Sequence, residues 1–158
     1  MQKEINDKKG IQGFARWTKT DNDGNIIDTS GWMKNLIPNG NVDTGVGLLF
    51  EHLLGNPVNP LEITQGRIGT GNTPTANSDV GLDVDVVGTN PALKVKELNS
   101  RILLSFFFPN ALLPDDTYKE FGLFAVSQLF SRLLFFPELI KGPGENVTID
   151  YRIEILNI

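Results

Sequence analysis

The sequence predicts a mainly β protein, an antiparallel β-sandwich of about seven to nine strands with one inserted α-helix. Three observations lead to this fold class: an alternating segment near the C-terminus, turn residues between short β-type runs, and a single helical pattern. In the alternating segment, Val147, Ile149, Tyr151, Ile153 and Ile155 stand between Thr148, Asp150, Arg152, Glu154 and Leu156. This period of two is typical of a strand with one buried face and one face that is mainly wet.

A hairpin is predicted at the start of the domain. Residues 11–20 and 26–37 have the composition of strands, and residues 21–25 between them read Asp-Asn-Asp-Gly-Asn. Asp-Gly is a strong hairpin signal, because Gly24 can adopt the positive φ that tight turns need.

One helix is predicted over residues 42–54. Its apolar residues recur at spacings of three and four, which gives one apolar stripe: Val46, Leu49, Phe50, Leu53 and Leu54. Asn41 or Asp43 is placed to cap the start, and Gly55 stands where a glycine commonly ends a helix.

The other β-type runs are residues 63–69, 82–87, 92–108, 119–126 and 130–136. Residues 82–87 alternate apolar and acidic side chains, so they fit either a half-buried strand or an extended lid. Residues 102–108 are apolar on both faces. One side of that strand is therefore expected to face the core, and the other to meet a helix, a second sheet or another subunit.

The composition narrows the functional classes. A length of 158 residues suits one domain, predicted over residues 11–158 after a flexible N-terminal arm over residues 1–10. The absence of cysteine excludes disulfides and thiolate chemistry, and fits assembly in a reducing cytosol. The net charge of −5 does not favour a nucleic-acid binder. No apolar run is long enough for a membrane span, so we expect a soluble protein.

Two short motifs resemble binding loops but lack decisive residues. Residues 21–25 begin like an EF-hand loop, yet Ile26 and Trp32 stand where that loop needs glycine and glutamate. Residues 69–71 read Gly-Thr-Gly without the third glycine of a dinucleotide loop or the Gly-Lys-Ser/Thr of a phosphate loop. A hairpin turn and a surface loop are the better interpretations.

Catalytic chemistry has little support in the residues. His52 is the single histidine, which is too few for a usual zinc site, and no serine lies in a nucleophile motif. A carboxylate pair for glycoside hydrolysis would have to come from Asp83, Asp85, Glu97, Asp115, Asp116 and Glu120. The sequence therefore predicts no enzymatic activity, no cofactor and no metal site, with a small hydrolase as a third hypothesis.

Four ordered segments and the terminal strand resemble a group of small structural proteins of tailed-phage particles. Residues 31–37 are similar to a tryptophan–asparagine–aliphatic pattern before a glycine and a helix, and residues 67–74 to an aliphatic-Gly-x-Gly-x-Thr-x-Pro loop. Residues 119–124 resemble Glu-aliphatic-Gly-Leu-Phe, with Phe121 in place of the aliphatic residue, and residues 130–136 resemble small-Arg-x-x-Phe. Together these motifs span most of the chain.

The resemblance implies a non-enzymatic subunit of the virion, in the tail, the baseplate, or a neck ring or adaptor that anchors fibres. Such a subunit is expected to pack against itself, as a ring or trimer, and against other virion proteins, with no membrane or direct nucleic-acid partner. The alternative is a receptor- or carbohydrate-binding module at the virion tip, which would place exposed aromatic residues in loops.

Interface residues are predicted from the apolar and aromatic runs, since interfaces favour aromatic anchors. The predicted anchors are Phe106, Phe107, Phe108, Leu112, Leu113, Phe135 and Phe136. Glu120 and Arg132 are predicted to form an ion pair between neighbouring strands. At an exposed position such a pair would contribute about 0–1 kcal/mol and serve mainly to position a surface.

Overall fold

The computed structural model describes residues 10–55 and 61–156, which form two antiparallel sheets and one short helix. The predicted mainly β fold with one helix is confirmed. Of the predicted arm, only Gly10 is described, as the first residue of β1; the rest lies outside the described residues. In chain order the elements are β1 (Gly10–Thr20), β2 (Ile26–Thr29), β3 (Met33–Asn35), α1 (Gly45–Leu53), β4 (Gln65–Gly69), β5 (Asp85–Thr89), β6 (Pro91–Leu98), β7 (Arg101–Phe108), β8 (Asp116–Ala125), β9 (Gln128–Lys141) and β10 (Asn146–Leu156).

The first sheet has the strand order β2-β1-β10-β7-β6, and β3 also pairs with β1. The second sheet has the order β5-β4-β8-β9. A bridge between Leu36 and Arg132 brings the segment after β3 onto β9. Because of this bridge, the β3 side of the first sheet lies over the β9 edge of the second, and β6 forms the far edge of the first sheet.

The structure describes ten strands, against the seven to nine predicted, because two predicted strands are divided. The run at residues 92–108 turns at Asn99 and Ser100 and becomes the β6–β7 hairpin. The run at residues 26–37 becomes β2 and β3, which pair with different parts of β1. Residues 85–89 form β5, so a strand rather than a lid follows the long loop.

Strand β10 is central in the first sheet and follows the predicted alternation. Val147, Ile149 and Tyr151 are fully buried, while Thr148 and Asp150 between them are partly exposed. The strand pairs with β1 from Gly10–Leu156 to Thr20–Asn146 without a register shift. Burying one face while the other stays wet fixes the register, since a slip by one residue would exchange the two faces.

The helix is shorter than predicted and begins later. Thr44 is the N-cap residue, not Asn41 or Asp43, and its side chain makes no capping hydrogen bond. Gly55 has φ 74°, as expected for a glycine that ends a helix. Leu48 is buried, whereas Phe50, Leu53 and Leu54 are exposed among the described residues.

The core lies between the inner faces of the two sheets. Phe106 and Phe121 make an edge-to-face aromatic contact across the sandwich, with ring centroids 5.5 Å apart. Gly66 of β4 allows this contact, because a Cβ there would lie 2.6 Å from both rings. The buried cluster includes Ala15, Trp17, Ile68, Leu104, Phe106, Phe108, Leu113, Tyr118, Phe121, Leu123, Phe130, Leu133, Phe135, Leu139, Val147, Ile149 and Tyr151.

Candidate functional site

The seven predicted interface residues divide between the core and the surface. Phe106, Phe108, Leu113 and Phe135 are buried in the core, whereas Phe107, Leu112 and Phe136 are 44%, 39% and 88% exposed. The division on β7 follows strand alternation, because neighbouring side chains point to opposite faces. A side chain in the core of its own domain is not available to a partner. The interface prediction therefore stays a prediction only for the three exposed residues.

Phe136 is exposed because β9 bulges. Tyr118 pairs with Leu139 and Glu120 with Leu134, so four residues of β9 lie opposite Lys119 alone. A bulge re-aims side chains and bends the strand locally. Residues 136–138, Phe-Pro-Glu, consequently project from the edge of the second sheet with all three exposed. We call residues 136–138 the β9 bulge.

The β9 bulge is fixed to the first sheet rather than loose. The indole nitrogen of Trp17 donates a 3.0 Å hydrogen bond to the Pro137 carbonyl oxygen. The Phe136 backbone N–H lies 3.1 Å from the Met33 sulfur. These two contacts come from β1 and β3, and they hold the backbone that carries the exposed Phe136 ring at a defined place on the surface.

The predicted Glu120–Arg132 pair forms, and it is buried. Glu120 Oε2 lies 2.9 Å from Arg132 Nε, and the two side chains are 0% and 2% exposed. The pair spans β8 and β9 diagonally, since Arg132 faces Gly122 and Glu120 faces Leu134 in the register. The pair was predicted to be exposed, and its burial corrects that prediction. Breaking a buried pair by removing one partner instead costs about 3–5 kcal/mol.

This pair holds the loop between β4 and β5 against the second sheet. Glu120 Oε1 accepts hydrogen bonds from the backbone N–H of Gly71 and Val84, and Oε2 from that of Asp83. Arg132 donates to the Thr73 carbonyl and to Asp79, at 2.8 and 3.1 Å. Both ends of the loop and its middle are thus bound to one buried charge pair.

The loop glycines are explained by their closeness to Glu120. A Cβ on Gly71 would meet Asp83 Cβ and lie 2.6 Å from Glu120 Oε1. A Cβ on Gly69 would meet the Val84 carbonyl and lie 2.7 Å from the same carboxylate oxygen. The Gly-Thr-Gly motif therefore lets the backbone approach a carboxylate of the protein itself, rather than forming a phosphate loop.

A second polar cluster, which the sequence analysis missed, lies on the outer face of the first sheet. The guanidinium carbons of Arg16 and Arg152 each lie 4.5 Å from the centre of the Trp32 ring. Arg16 pairs with Asp150 at 2.8 Å, and Arg152 with Glu97 at 2.9 Å. The cluster joins four separate segments, so no local sequence signal indicates it.

An apolar groove of about 490 Å³ lies at the end of the sandwich where β1 begins and β10 ends. Its rim carries Lys94 and Lys96 of β6, and Lys94 pairs with Glu62 at 2.7 Å. Ile155 on its wall is 56% exposed. We call this feature the β6 groove; it is lined by Ile11, Leu49, Leu61, Glu62, Ile63, Lys94, Val95, Lys96, Ile102, Leu104, Phe130, Ile153 and Ile155.

Several titratable groups make structural contacts in the described part of the chain. No group of three or more metal-ligating side chains occurs among residues 10–55 and 61–156. His52 lies exposed in the last turn of α1. Asp83 accepts hydrogen bonds from the Thr73 side chain and backbone, which lower the pKa of its carboxyl. Lys141 is buried and donates to Asp115 and Asn110 at 2.5 and 2.7 Å.

Two tyrosine hydroxyls have pKa values that are raised by burial. Burial, with smaller contributions from the charges of Asp116 and Asp115, raises the pKa of Tyr118 to about 12. Its hydroxyl donates to the Pro114 carbonyl at 2.6 Å. Burial also raises the pKa of Tyr151, although the 2.7 Å hydrogen bond to Ser131 opposes this shift.

Comparison with protein-family models, with curated proteins and with solved structures found no match. Within the described residues, no helix is both long and apolar enough to cross a membrane.

Proposed function

We propose that this chain is a non-enzymatic structural subunit of a tailed-phage particle, located in the tail, the baseplate or the neck, and that it acts by packing against copies of itself and other virion proteins. The resemblance of the ordered motifs over residues 31–136 to those of tailed-phage structural proteins supports the assignment to a tailed-phage particle. The observation that carries the packing function is Phe136, which is 88% exposed on a bulge fixed by hydrogen bonds from another sheet.

The physical basis is the cost of leaving such a side chain in water. Burying a phenylalanine is worth about 1.5–3 kcal/mol relative to exposing it. The backbone that carries this ring is held in one place by two hydrogen bonds, so the exposed ring projects from a fixed point on the surface. A fixed apolar anchor is a typical central element of a protein–protein interface.

The buried ion pair fits the same function. The Glu120–Arg132 pair binds the long β4–β5 loop through backbone N–H and carbonyl groups, and so gives a surface loop one shape. A pre-shaped surface associates at a lower entropic cost than one that must order on binding.

The experiment is to label the chain in the phage that encodes it and to locate it on purified particles by immunogold electron microscopy. We expect gold at one fixed site on the tail, baseplate or neck of most particles. Particles without label, with the chain found only in the soluble fraction of infected cells, would contradict the proposal. Label only at the fibre tips, lost when a receptor or glycan is added, would favour the binding-module alternative.

A further inference from the structure

Two apolar features lie on different edges of the sandwich. The β9 bulge projects at the edge that β3 overlies, and the β6 groove reaches the far edge of the first sheet. Phe130 lines the groove and Phe136 lies six residues further along β9. At about 3.3 Å per strand residue, these side chains are on the order of 15–20 Å apart.

The bulge does not fill its own groove. Phe136 is 88% exposed, so its ring has almost no contact with the rest of the described chain. The groove has a volume of about 490 Å³ and an almost wholly apolar lining, which suits an aromatic ring followed by a proline. Among residues 10–55 and 61–156, an apolar projection and an apolar concavity are therefore both left uncovered.

The charges beside the two features are complementary. Glu138 is exposed next to Phe136 and Pro137 on the bulge. Lys94 and Lys96 stand on the rim of the groove, where Glu62 offsets one of them. A ring that enters the groove would bring Glu138 towards this basic rim, and complementary charges favour association in one orientation.

We propose that the β9 bulge of one molecule binds in the β6 groove of a second copy. The inference rests on the proposed packing function and names the partner and both surfaces. In the proposed contact the second copy does not return its own bulge to the first, so the contact is heterologous and each molecule keeps a free bulge and a free groove. Repetition of such a contact produces a ring if the rotation closes and a filament if it does not.

The test uses one variant for each surface, both at exposed positions so that folding is preserved. Phe136→Asp removes the bulge anchor, and Ile155→Glu places a charge in the groove. We expect each variant alone to be a folded monomer by circular dichroism and light scattering. Ile26→Asp is the matched control, because Ile26 is 69% exposed and lies on neither surface; it should assemble like the wild type.

Mixing the two variants is the decisive step. Phe136→Asp keeps an intact groove, and Ile155→Glu keeps an intact bulge. One bulge–groove contact therefore forms between the two variants, and no further molecule can add to the pair. The mixture should give a species of twice the monomer mass and nothing larger. A contact between two copies of the same patch would not be restored by this mixing. A reciprocal two-fold dimer would differ in the wild type, which would then form nothing larger than a dimer.

A charge exchange tests the orientation separately. Glu138→Lys and Lys96→Glu should each weaken association, and the double variant should recover most of the loss. Equal weakening by the double variant would contradict the proposed placement of Glu138 beside the rim.

The contradicting outcomes also separate this inference from the proposed function. If Phe136→Asp and Ile155→Glu assemble like the wild type, the contact is elsewhere and the packing function stands. If deleting residues 1–9 alone abolishes assembly, the groove contact is not the one that holds the copies together. If the wild type stays monomeric and its groove binds a fatty-acid-like amphiphile, the groove is a small-molecule site and the inference is overturned.

Discussion

Glu120 is an ionisable side chain without exposed surface, and its carboxylate is surrounded by donors. Three backbone N–H groups and the Arg132 guanidinium direct hydrogen bonds to its two oxygens. Hydrogen bonds to a charged group are worth about 1.5–3 kcal/mol each, so this set offsets the cost of taking the charge out of water. One residue thereby joins β8, β9 and the loop after β4.

Replacing Glu120 by alanine should lower the free energy of unfolding by about 3–5 kcal/mol, because Arg132 loses its buried partner. Urea denaturation of wild type and variant measures the difference. The control is Glu62→Gln, which removes an exposed ion pair with Lys94 and should leave the unfolding midpoint almost unchanged. Similar losses in the two variants would mean that Glu120 does not hold the loop.

Tyr118 gives a prediction for alkaline pH. Its pKa is raised from 10.0 to about 12 by burial, so the folded state keeps the phenol neutral where the unfolded chain ionises. The stabilising contribution is complete below pH 10 and is lost as the pH rises from 10 towards 12. Tyr118→Phe should cost about 1 kcal/mol at neutral pH, through the lost hydrogen bond to Pro114. The gap to wild type should narrow across that pH window; a constant gap would contradict the account.

At the scale of elements, two local features determine which side chains are buried. One is the set of glycines in the β4–β5 loop, and the other is the alternation of side chains along β7. Gly71 allows the backbone to reach the Glu120 carboxylate. On β7, Phe106 and Phe108 enter the core, while Phe107 lies on the outer face. Within each element, positions where a substitution should destabilise the fold therefore lie beside positions where it should not.

Gly71→Ala should destabilise the protein by about 1–3 kcal/mol, since the added methyl group overpacks a site bounded by Asp83 and Glu120. Gly81 lies in the same loop with open space around its Cβ position, and Gly81→Ala is the matched control. Thermal unfolding of both variants tests the comparison. If they melt alike, close approach to Glu120 is not the reason for the glycine.

The register of β7 predicts opposite results at neighbouring positions. Phe108→Asp would bury a charge in the core and should leave the chain unfolded by circular dichroism. Phe107→Asp changes an exposed side chain and should fold like the wild type. A folded Phe108→Asp variant would contradict the described register.

The alternation of β10 and the turn at Gly24 could be predicted because each depends on local sequence. Burial of Glu120 and Arg132 could not, because the loop residues that bind them lie 36 to 59 residues earlier in the chain. The β9 bulge was also missed, since it arises where four residues face Lys119 on a partner strand. Trp32 lies between Arg16 and Arg152, which come together only when β1 and β10 pair.

At the scale of the whole molecule, the two edges of the sandwich differ. One carries the exposed ring of Phe136 on the β9 bulge, and the far edge of the first sheet borders an apolar groove with a basic rim. A core that is already complete leaves these surfaces free for partners, because Phe106, Phe108 and Phe135 are buried within the monomer. Under the proposed contact, repetition through these two edges gives head-to-tail packing.

The measurement that tests the central claim most directly is the solution mass of the wild-type chain by light scattering after size exclusion, across a range of concentrations. A subunit that functions by packing against its own copies should give a discrete oligomer of three or more chains, or a filament, that dissociates on dilution. A strict monomer at every concentration would contradict the claim that this chain assembles with itself.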